Sequence, residues 1–405
     1  GARLNAEKSN GFWIAAWATT PKCFGGISWN RCPFKYLGVP LDQTRSTDPY
    51  WSTAVTIIRR KSQSWRAREM SIFAKAAVCN TFLISKLMYV LQVLHCNRSK
   101  IQAFHRIFAT FIWSSPWERM KRDNLFLPLD SGGLGLAHLF VRQLVSRLFF
   151  FRNLSHPFIL MAVQRKLVHH LPFLIVCTTS SAPIGLWGFW KEVVDTFLFL
   201  KVRFSLDYLF EVPRKRLAQA LIESFFPAPL YRSKFGNCEG QDVLERVKRM
   251  SVSPSTKTFM FKLHTSTLPV KWWLQSRGFF VPWSIDCRLC HQPETIEHCF
   301  IYCTDAIFFY DVLQRTLRKD IDLTDRSIRY LYVPTETNIP YDLFMLIGLH
   351  SLWRCQMIDI NADIPRTTKS IFLEEIAEVR SVYEAHPPVP DWFPLFDACL
   401  GLPDF

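Results

Sequence analysis

We expect neither a secretory leader nor a membrane span here, because the sequence shows the pattern of neither. Its first ten residues do not have the charged-then-apolar layout of a signal peptide, so we expect a fragment of a longer protein, or a processed chain. The longest uncharged run, residues 171–190, has the length of a membrane span, but hydroxyls and Pro183 interrupt it. We interpret this run as two buried elements joined by a loop, and we expect no membrane partner.

Acidic residues are scarce in the first third of the sequence. Residues 1–125 contain 19 lysines and arginines against 6 acids, whereas the remaining 280 residues contain 30 against 28. A basic block of this kind usually faces phosphate, because neutralising nucleic acid releases its counterions. We therefore expect this third to contact nucleic acid. The alternative is a basic surface that only maintains solubility.

Apolar residues return every three or four positions from residue 49 onward, which predicts a mainly α fold. Thr47 and Pro49 provide an N-cap and a first-turn proline at the start of a segment of about 45 residues. We expect this segment to form two helices, with the break between them near residues 62–64. A third predicted helix, residues 98–113, carries an apolar stripe of Ile101, Phe104, Ile107, Phe108, Phe111 and Ile112.

The rest of the chain is also predicted to be helical, with turns at its glycines and prolines. Three glycines within residues 132–135 permit a close approach of the backbone. Helical patterning covers residues 141–225, and an uncertain linker follows at 226–256. Later helices are predicted at 306–317, 341–359 and 369–385, before a proline-rich tail that we expect to be irregular.

Four residues near the end of the chain have the spacing of a zinc site. Cys287, Cys290, His298 and Cys303 form a C-x2-C-x7-H-x4-C pattern. Zinc takes four tetrahedral thiolate or imidazole ligands, and a C-x2-C turn presents two sulfurs to one ion. Without a secretory leader, the twelve cysteines are expected in a reducing compartment, where clustered thiols hold metal more often than they form disulfides.

Two alternatives to this ligand set stay open. His291 or Cys299 would replace a named ligand, or the loop would hold no metal and simply bury its cysteines. His298 and Cys303 differ by about 140° on a regular helix, so we expect a turn entering a helix between them. A closed site of four protein ligands would be structural, with no open position for catalysis.

Blocks of sequence along the whole chain point to one family. They are GARLNAEKS, FKYLGVPL, the run from Trp65 to Ser71, AKAAVCNTFLISKLMYVLQVL, FIW, SGGLGL, FKLHTSTLPVKWWLQSRGFFVPW, FFYDVLQRTLRKD and LIGLHSLWRCQM. In this order they resemble the carboxy-terminal part of the reverse transcriptases of non-LTR (LINE-type) retrotransposons. The resemblance is closest to tick transposon polyproteins.

The resemblance implies roles for the amino-terminal blocks. ARLNAEKS would be polymerase motif D, with Lys8 in the place of the lysine that assists proton transfer to pyrophosphate. FKYLGVPL would be the primer-grip-like motif E, with Tyr36, Leu37 and Gly38 at its turn. In this interpretation the short strands predicted at the N terminus are the remnant of a polymerase palm.

The resemblance also implies a thumb that holds the template–primer duplex by its backbone. Phosphate contacts position a duplex without reading its sequence. The exposed helical faces would supply these contacts through Arg59, Arg60, Lys61, Arg66, Arg68 and Lys75. The cysteine cluster would be the CCHC motif of this family, which we expect to help bind template RNA or target DNA.

One departure from the family limits the expected activity. Polymerase chemistry needs two metal ions held by paired aspartates. The family carries them in a Tyr/Phe-Ala-Asp-Asp motif that would precede Gly1, and the first acids here are Glu7, Asp42 and Asp48. We therefore expect magnesium only in the full-length parent, an RNA-directed DNA polymerase, and no polymerisation by this chain alone.

The resemblance divides the chain into five predicted domains. These are a palm remnant at 1–48, a basic helical thumb-like bundle at 49–125, a helical connector at 126–256, the CCHC module with its flanks at 257–320, and C-terminal helices with a tail at 321–405. The expected partners are an RNA template and a DNA primer or target DNA, with the rest of the polyprotein upstream. The expected location is intracellular, in a cytoplasmic ribonucleoprotein and in the nucleus.

Two further interpretations stay open at the level of sequence. One is a helical protein-interaction scaffold with a structural zinc site, and the other is a degenerate element copy without a function. Aromatic content does not decide between a nucleic-acid-binding fragment and the scaffold, because tryptophans are core residues more often than platforms for bases. We expect a core position for Trp65, Trp113, Trp272, Trp273 and Trp353.

Overall fold

Helices make up most of the part of the chain that the computed structural model describes, which confirms the mainly α prediction. The described residues are 5, 9–11, 27–29, 34–41, 46–176, 185–234, 242–282, 284–333, 339–357 and 366–403. The chain forms two compact units. The first is Gly1–Ala67, Val78–Pro116 and Leu136–Pro227, and the second is Arg68–Ala77, Trp117–Gly135 and Ala228–Phe405.

Short strands lie at the N terminus, as predicted. They are β1 Asn10–Gly11 and β2 Ser28–Trp29, which pair in parallel, and β3 Phe34–Tyr36 and β4 Val39–Leu41, which pair antiparallel. Leu37 and Gly38 join β3 to β4 with φ angles of 49° and 80°, the left-handed values of a two-residue hairpin turn. Lys8 and the centre of the 171–190 run lie outside the described residues, so their predictions stay predictions.

The first half of the described chain is built from short and medium helices. They are α1 Asp48–Trp65, α2 Ile72–Val78, α3 Ser85–Leu91, α4 Arg98–Trp113, α5 Leu139–Arg152, α6 Pro157–Leu167, α7 Gly188–Lys201, α8 Leu206–Glu211 and α9 Arg214–Phe225. A π turn, Cys79–Ile84, joins α2 to α3. The continuous helix Ile72–Leu91 is long and apolar enough to cross a membrane, a test that buried core helices also pass, and 44% of its most apolar window is buried.

Helix α1 begins where the sequence predicts, and both predicted helices are present, but the break between them lies at residues 66–71 and not at 62–64. Thr47 is its N-cap residue and Pro49 lies in its first turn. The Thr47 hydroxyl donates to the backbone carbonyl of His95 at 2.7 Å instead of capping the helix. The hydroxyls of Ser62 and Ser64 donate to carbonyls three residues earlier, so both serines are satisfied without interrupting the helix.

The apolar stripe predicted on α4 is buried. The stripe residues are each at most 7% exposed, and Asn97 caps the helix by accepting a hydrogen bond from the backbone of Lys100. Trp51 of α1 packs edge-on against Phe104, with ring centroids 6.2 Å apart. This contact fastens α1 to α4 in the core of the first unit.

A buried arginine ties α5 to the segment after α3 within the first unit. Arg147 is fully buried and donates to the backbone carbonyls of Leu91, Gln92 and Leu94 at 3.0, 2.7 and 2.8 Å. Its Nε also donates to Glu192 Oε2 on α7 at 2.9 Å. One side chain thus holds three elements together.

The second half of the described chain is helical around the cysteine cluster. Its helices are α10 Leu230–Ser233, α11 Val243–Arg249, α12 Pro254–His264, α13 Lys271–Ser276, α14 Thr304–Leu317, α15 Asp325–Tyr330, α16 Tyr341–Met357, α17 Thr368–Glu384 and α18 Pro394–Leu400. The three helices predicted after residue 303 are present as α14, α16 and α17. The tail is not wholly irregular as expected, because Pro394 lies in the first turn of α18, where a proline is tolerated.

A tight backbone turn lies at the predicted glycine joint in the second unit. The backbone N–H of Gly133 donates to the carbonyl of Pro128 at 2.9 Å, and that of Gly135 donates to the carbonyl of Leu127 at 2.8 Å. A Cβ at Gly133 would lie 2.0 Å from the Leu127 oxygen. The close approach predicted from the three glycines is confirmed.

Replacing Gly133 with alanine is expected to destabilise the second unit by about 1–3 kcal/mol, since the new methyl group would force the backbone apart. Gly185→Ala is the control, because nothing lies within 4 Å of its Cβ position. Urea unfolding of both variants measures the difference. Equal free energies of unfolding for the two would show that the turn tolerates a side chain.

Candidate metal centre

The first two cysteines lie on a tight turn that closes on itself. The backbone N–H of Cys287 donates to the carbonyl of Gln292 at 2.7 Å, and its carbonyl accepts from His291 N–H at 3.0 Å. His291 has a φ of 52°, which reverses the chain directly after Cys290. The turn therefore presents the Cys287 and Cys290 sulfurs to the same side, as a C-x2-C metal turn requires.

The second two ligands are brought together by a π turn. Residues His298–Tyr302 form this turn, and the N–H of Cys303 donates to the carbonyl of His298 at 2.7 Å. A π turn closes hydrogen bonds between residues five apart, so it aligns a pair that an α-helix would separate. Cys303 then has extended angles and is the N-cap residue of α14. The predicted turn entering a helix is confirmed.

The four ligand atoms have spacings suited to one ion. All four lie within 4.8 Å of one another. The Cys287 and Cys303 sulfurs are 3.8 Å apart, and the Cys290 and Cys303 sulfurs are 4.0 Å apart. Tetrahedral zinc with Zn–S bonds near 2.3 Å places its sulfurs about 3.8 Å apart. His298 Nε2 lies 3.0 Å from the Cys290 sulfur, so it faces the same centre.

The electrostatics of this cluster suit a cation. Burial, together with the neighbouring Cys287 and Cys290, raises the pKa of the Cys303 thiol to about 12. Burial lowers the pKa of His298, which keeps its imidazole neutral. Several thiolates crowded in one buried space repel one another, whereas a bound dication supplies their countercharge and deprotonates them outright.

The two competing residues do not belong to the cluster of ligand atoms. His291 is exposed in the turn, and Cys299 is fully buried, where burial raises the pKa of its thiol. Within the described residues, the group able to hold a metal consists of the four predicted ligands. The sequence had left His291 and Cys299 open, and in the fold neither belongs to the group of clustered ligand atoms.

Ion pairs fasten the cysteine loop to the surrounding helices. Lys271 of α13 places its Nζ 3.0 Å from Glu294 Oε2 and donates to the Asp286 carbonyl at 2.7 Å. Arg329 of α15 pairs with Glu297 at 2.9 Å. The loop is thus held from both sides in the second unit.

Residues 225–309 match the family model described as zinc-binding in reverse transcriptase. The matched segment contains all four clustered residues and α13, whereas α15 lies outside it. The match supports a reverse-transcriptase-associated protein with a zinc-binding region. Comparison with curated proteins gives no match.

The residues predicted to bind nucleic acid are divided between the two units. Tyr36 and Gly38 are exposed at the hairpin turn. In the first unit, Arg59 and Arg60 are exposed and Lys61 is half-buried. Arg66 of the same unit donates to the Thr110 carbonyl at 3.3 Å. Arg68 and Lys75 belong to the second unit. The predicted set therefore does not form a single stripe on one unit.

One cation beside this basic group was not predicted from the sequence, and one tryptophan is not buried as expected. Lys86 lies beside Lys61, and hydrogen bonding and repulsion from Lys86 lower the pKa of Lys61. The only sequence signal for Lys86 was a cation within an apolar run. Trp113 is buried as expected, but Trp272 is 51% exposed, so its expected core position is wrong.

Proposed function

We propose that the chain is the nucleic-acid-binding, carboxy-terminal part of a non-LTR retrotransposon reverse transcriptase of the type found in tick transposons. The observation that carries the proposal is the cluster of Cys287, Cys290, His298 and Cys303 inside the segment that matches the zinc-binding region of reverse transcriptase. The order of the sequence blocks supports the non-LTR class.

In this proposal zinc has a structural role. Four protein ligands leave no open coordination position, so the ion would fasten the C-x2-C turn to the start of α14 and not activate water. Magnesium would act only with the catalytic aspartates of the parent polymerase, and this chain alone would not incorporate nucleotides. As a CCHC motif, the module would help to hold template RNA or target DNA.

The proposed duplex contact lies on the C-terminal half of α1. Arg59, Arg60 and Lys61 fan around the side of α1 that lies opposite its buried Ile58 and Ser62, and Lys86 adds a fourth positive charge beside Lys61. Like charges held this close repel one another, and a phosphate backbone relieves that repulsion. The exposed hairpin turn would act as the primer grip, and Lys8 would have the motif D role. The partners would be an RNA template and a DNA primer or target, in a cytoplasmic ribonucleoprotein and in the nucleus, with no membrane association.

Replacing Arg59, Arg60, Lys61 and Lys86 with alanine is expected to weaken binding of an RNA–DNA hybrid uniformly across sequences. The slope of log affinity against log salt should shrink by roughly 0.9 for each phosphate that the variant no longer neutralises, since fewer counterions are then released on binding. Fluorescence anisotropy at several salt concentrations measures the slope.

The matched control removes four exposed or half-exposed cations from the same unit that lie outside the proposed face, Arg165, Lys191, Lys215 and Arg216. Its salt slope should stay close to that of the unaltered chain. Equal decreases in affinity for both variants, or no decrease for either, would count against a duplex-binding face on α1. That outcome would favour the protein-interaction scaffold instead.

A further inference from the structure

A partly exposed cluster of aromatic and arginine side chains, in which Trp273 and Arg119 are half-buried, lies in the second unit, outside the metal centre. We call it the platform, and its members are Trp117, Arg119, Trp273, Arg277 and Phe279. Trp273 and Phe279 stack with an interplanar angle of 14° and centroids 6.4 Å apart, and Trp117 meets Phe279 edge-on at 5.9 Å. The Arg277 and Arg119 guanidinium carbons lie 5.4 and 6.0 Å from the Trp273 ring centroid.

The platform presents its rings to solvent. Trp117 is 66% exposed and Phe279 is 38% exposed, and the neighbouring Phe280 is 88% exposed. Ring surface of this size, gathered in one place, is a feature of binding sites more than of ordinary surface, where apolar side chains are scattered singly. Rings held by one another and by arginines keep their orientation, so little side-chain entropy is lost when a flat ligand stacks on them.

The surroundings of the platform are positively charged. Among the described residues, no ion pair joins a carboxylate to Arg119 or Arg277, and the adjacent Glu118 pairs with Arg122 instead. Arg119 also lies close enough to Lys262 to repel its positive charge. Burial, Arg119 and Lys75 together lower the pKa of Lys262 to about 8, so three cations share this region. An anionic ligand with planar rings would complement both the charge and the aromatic surface.

We propose that the platform binds single-stranded nucleic acid, with bases stacked on Trp117 and Phe279 and phosphates drawn to Arg119 and Arg277. Every base has a flat face, so such stacking tolerates any sequence, and arginine adds cation–π attraction. A duplex keeps its bases stacked inside and would gain nothing from these rings. The inference deepens the proposed function, because it rests on nucleic acid being the partner of this chain.

The test uses the full chain with a Trp117→Ala/Phe279→Ala double variant. Anisotropy with a labelled oligo-uridine of about 15 nucleotides is expected to show a loss of affinity of about tenfold or more, because each stacked base contributes substantially to binding. Affinity for an RNA–DNA hybrid of the same length should stay within about twofold, since stacking adds nothing to duplex binding. Phe158→Ala/Trp187→Ala removes the same two ring types from exposed positions in the first unit and should change neither affinity.

A conservative Trp117→Phe/Phe279→Tyr variant keeps flat rings and should retain most of the single-strand affinity, which separates stacking from a folding defect. The proposal is overturned if the alanine variant binds single strands unchanged, or if its affinity decreases equally for both nucleic acids. A failed duplex salt-slope experiment leaves this test intact, because single-strand binding that depends on the two rings would still support the platform.

Discussion

Replacing Cys287 or Cys303 with serine is expected to abolish zinc binding by the full chain and to unfold the loop between residues 287 and 303. Structural zinc in small modules contributes on the order of 10 kcal/mol or more to folding, so the loss of one thiolate removes much of what holds this loop. The Cys303 sulfur faces both Cys287 and Cys290, so its loss leaves the ion without a closed site. Elemental analysis gives the zinc content, which should fall from about one ion per chain to none.

Cys299→Ser is the matched control for this experiment. Its thiol is fully buried and lies outside the group of ligand atoms, so the variant should keep its zinc even if it loses some stability. Loss of zinc from the Cys299 variant with retention in the Cys303 variant would show that the ligand assignment is wrong. Retention of zinc by every variant would mean that the metal lies elsewhere.

Arg147→Met is expected to destabilise the first unit by about 3–5 kcal/mol. The change leaves the Glu192 carboxylate without its buried cation and the carbonyls of Leu91, Gln92 and Leu94 without donors. Methionine fills much of the same volume, so the loss of stability reports the polar interactions and not a large cavity. Denaturant unfolding followed by circular dichroism measures the change.

The control for this variant is Arg142→Met, which changes the same residue type on the same helix. Arg142 is half-buried and has no carboxylate partner among the described residues, so its replacement should cost under about 0.5 kcal/mol. Similar decreases in stability at both positions would show that the network around Arg147 contributes little. A rise in stability for Arg147→Met would mean that desolvating the ion pair costs more than its hydrogen bonds return.

The sequence predicted the ligand set better than the shape of the site. Spacing alone selected Cys287, Cys290, His298 and Cys303. Zinc requires its ligands at fixed positions around the ion, so the number of residues between successive ligands is restricted and can be recognised in the sequence. The π turn had no local signal, since five-residue hydrogen bonding is imposed by how the segment packs and by what its ends must reach. The exclusion of Cys299 also depended on packing, which no spacing rule contains.

Errors in the helix predictions have specific physical causes. Serines near Ser62 suggested a break because their side chains compete for backbone groups, but in α1 they bond to carbonyls within the helix. The helix α18 was missed because prolines dominated the tail, although Pro394 marks a start. Exposure of Trp272 could not be predicted, because whether a tryptophan is covered depends on elements distant in sequence.

The position of Cys303 has a consequence for the order in which this region folds. Cys303 is both a ligand of the candidate metal centre and the N-cap residue of α14. Starting a helix is the costly step, because several residues must be fixed before the first hydrogen bond forms. An ion that fixes Cys303 would lower that cost. Once α14 has formed, its Phe309 can pack against Gly348 of α16 and Phe372 of α17. Metal capture would thus start the assembly of helices far beyond the loop, and the rate at which the C-terminal region folds would follow the concentration of zinc.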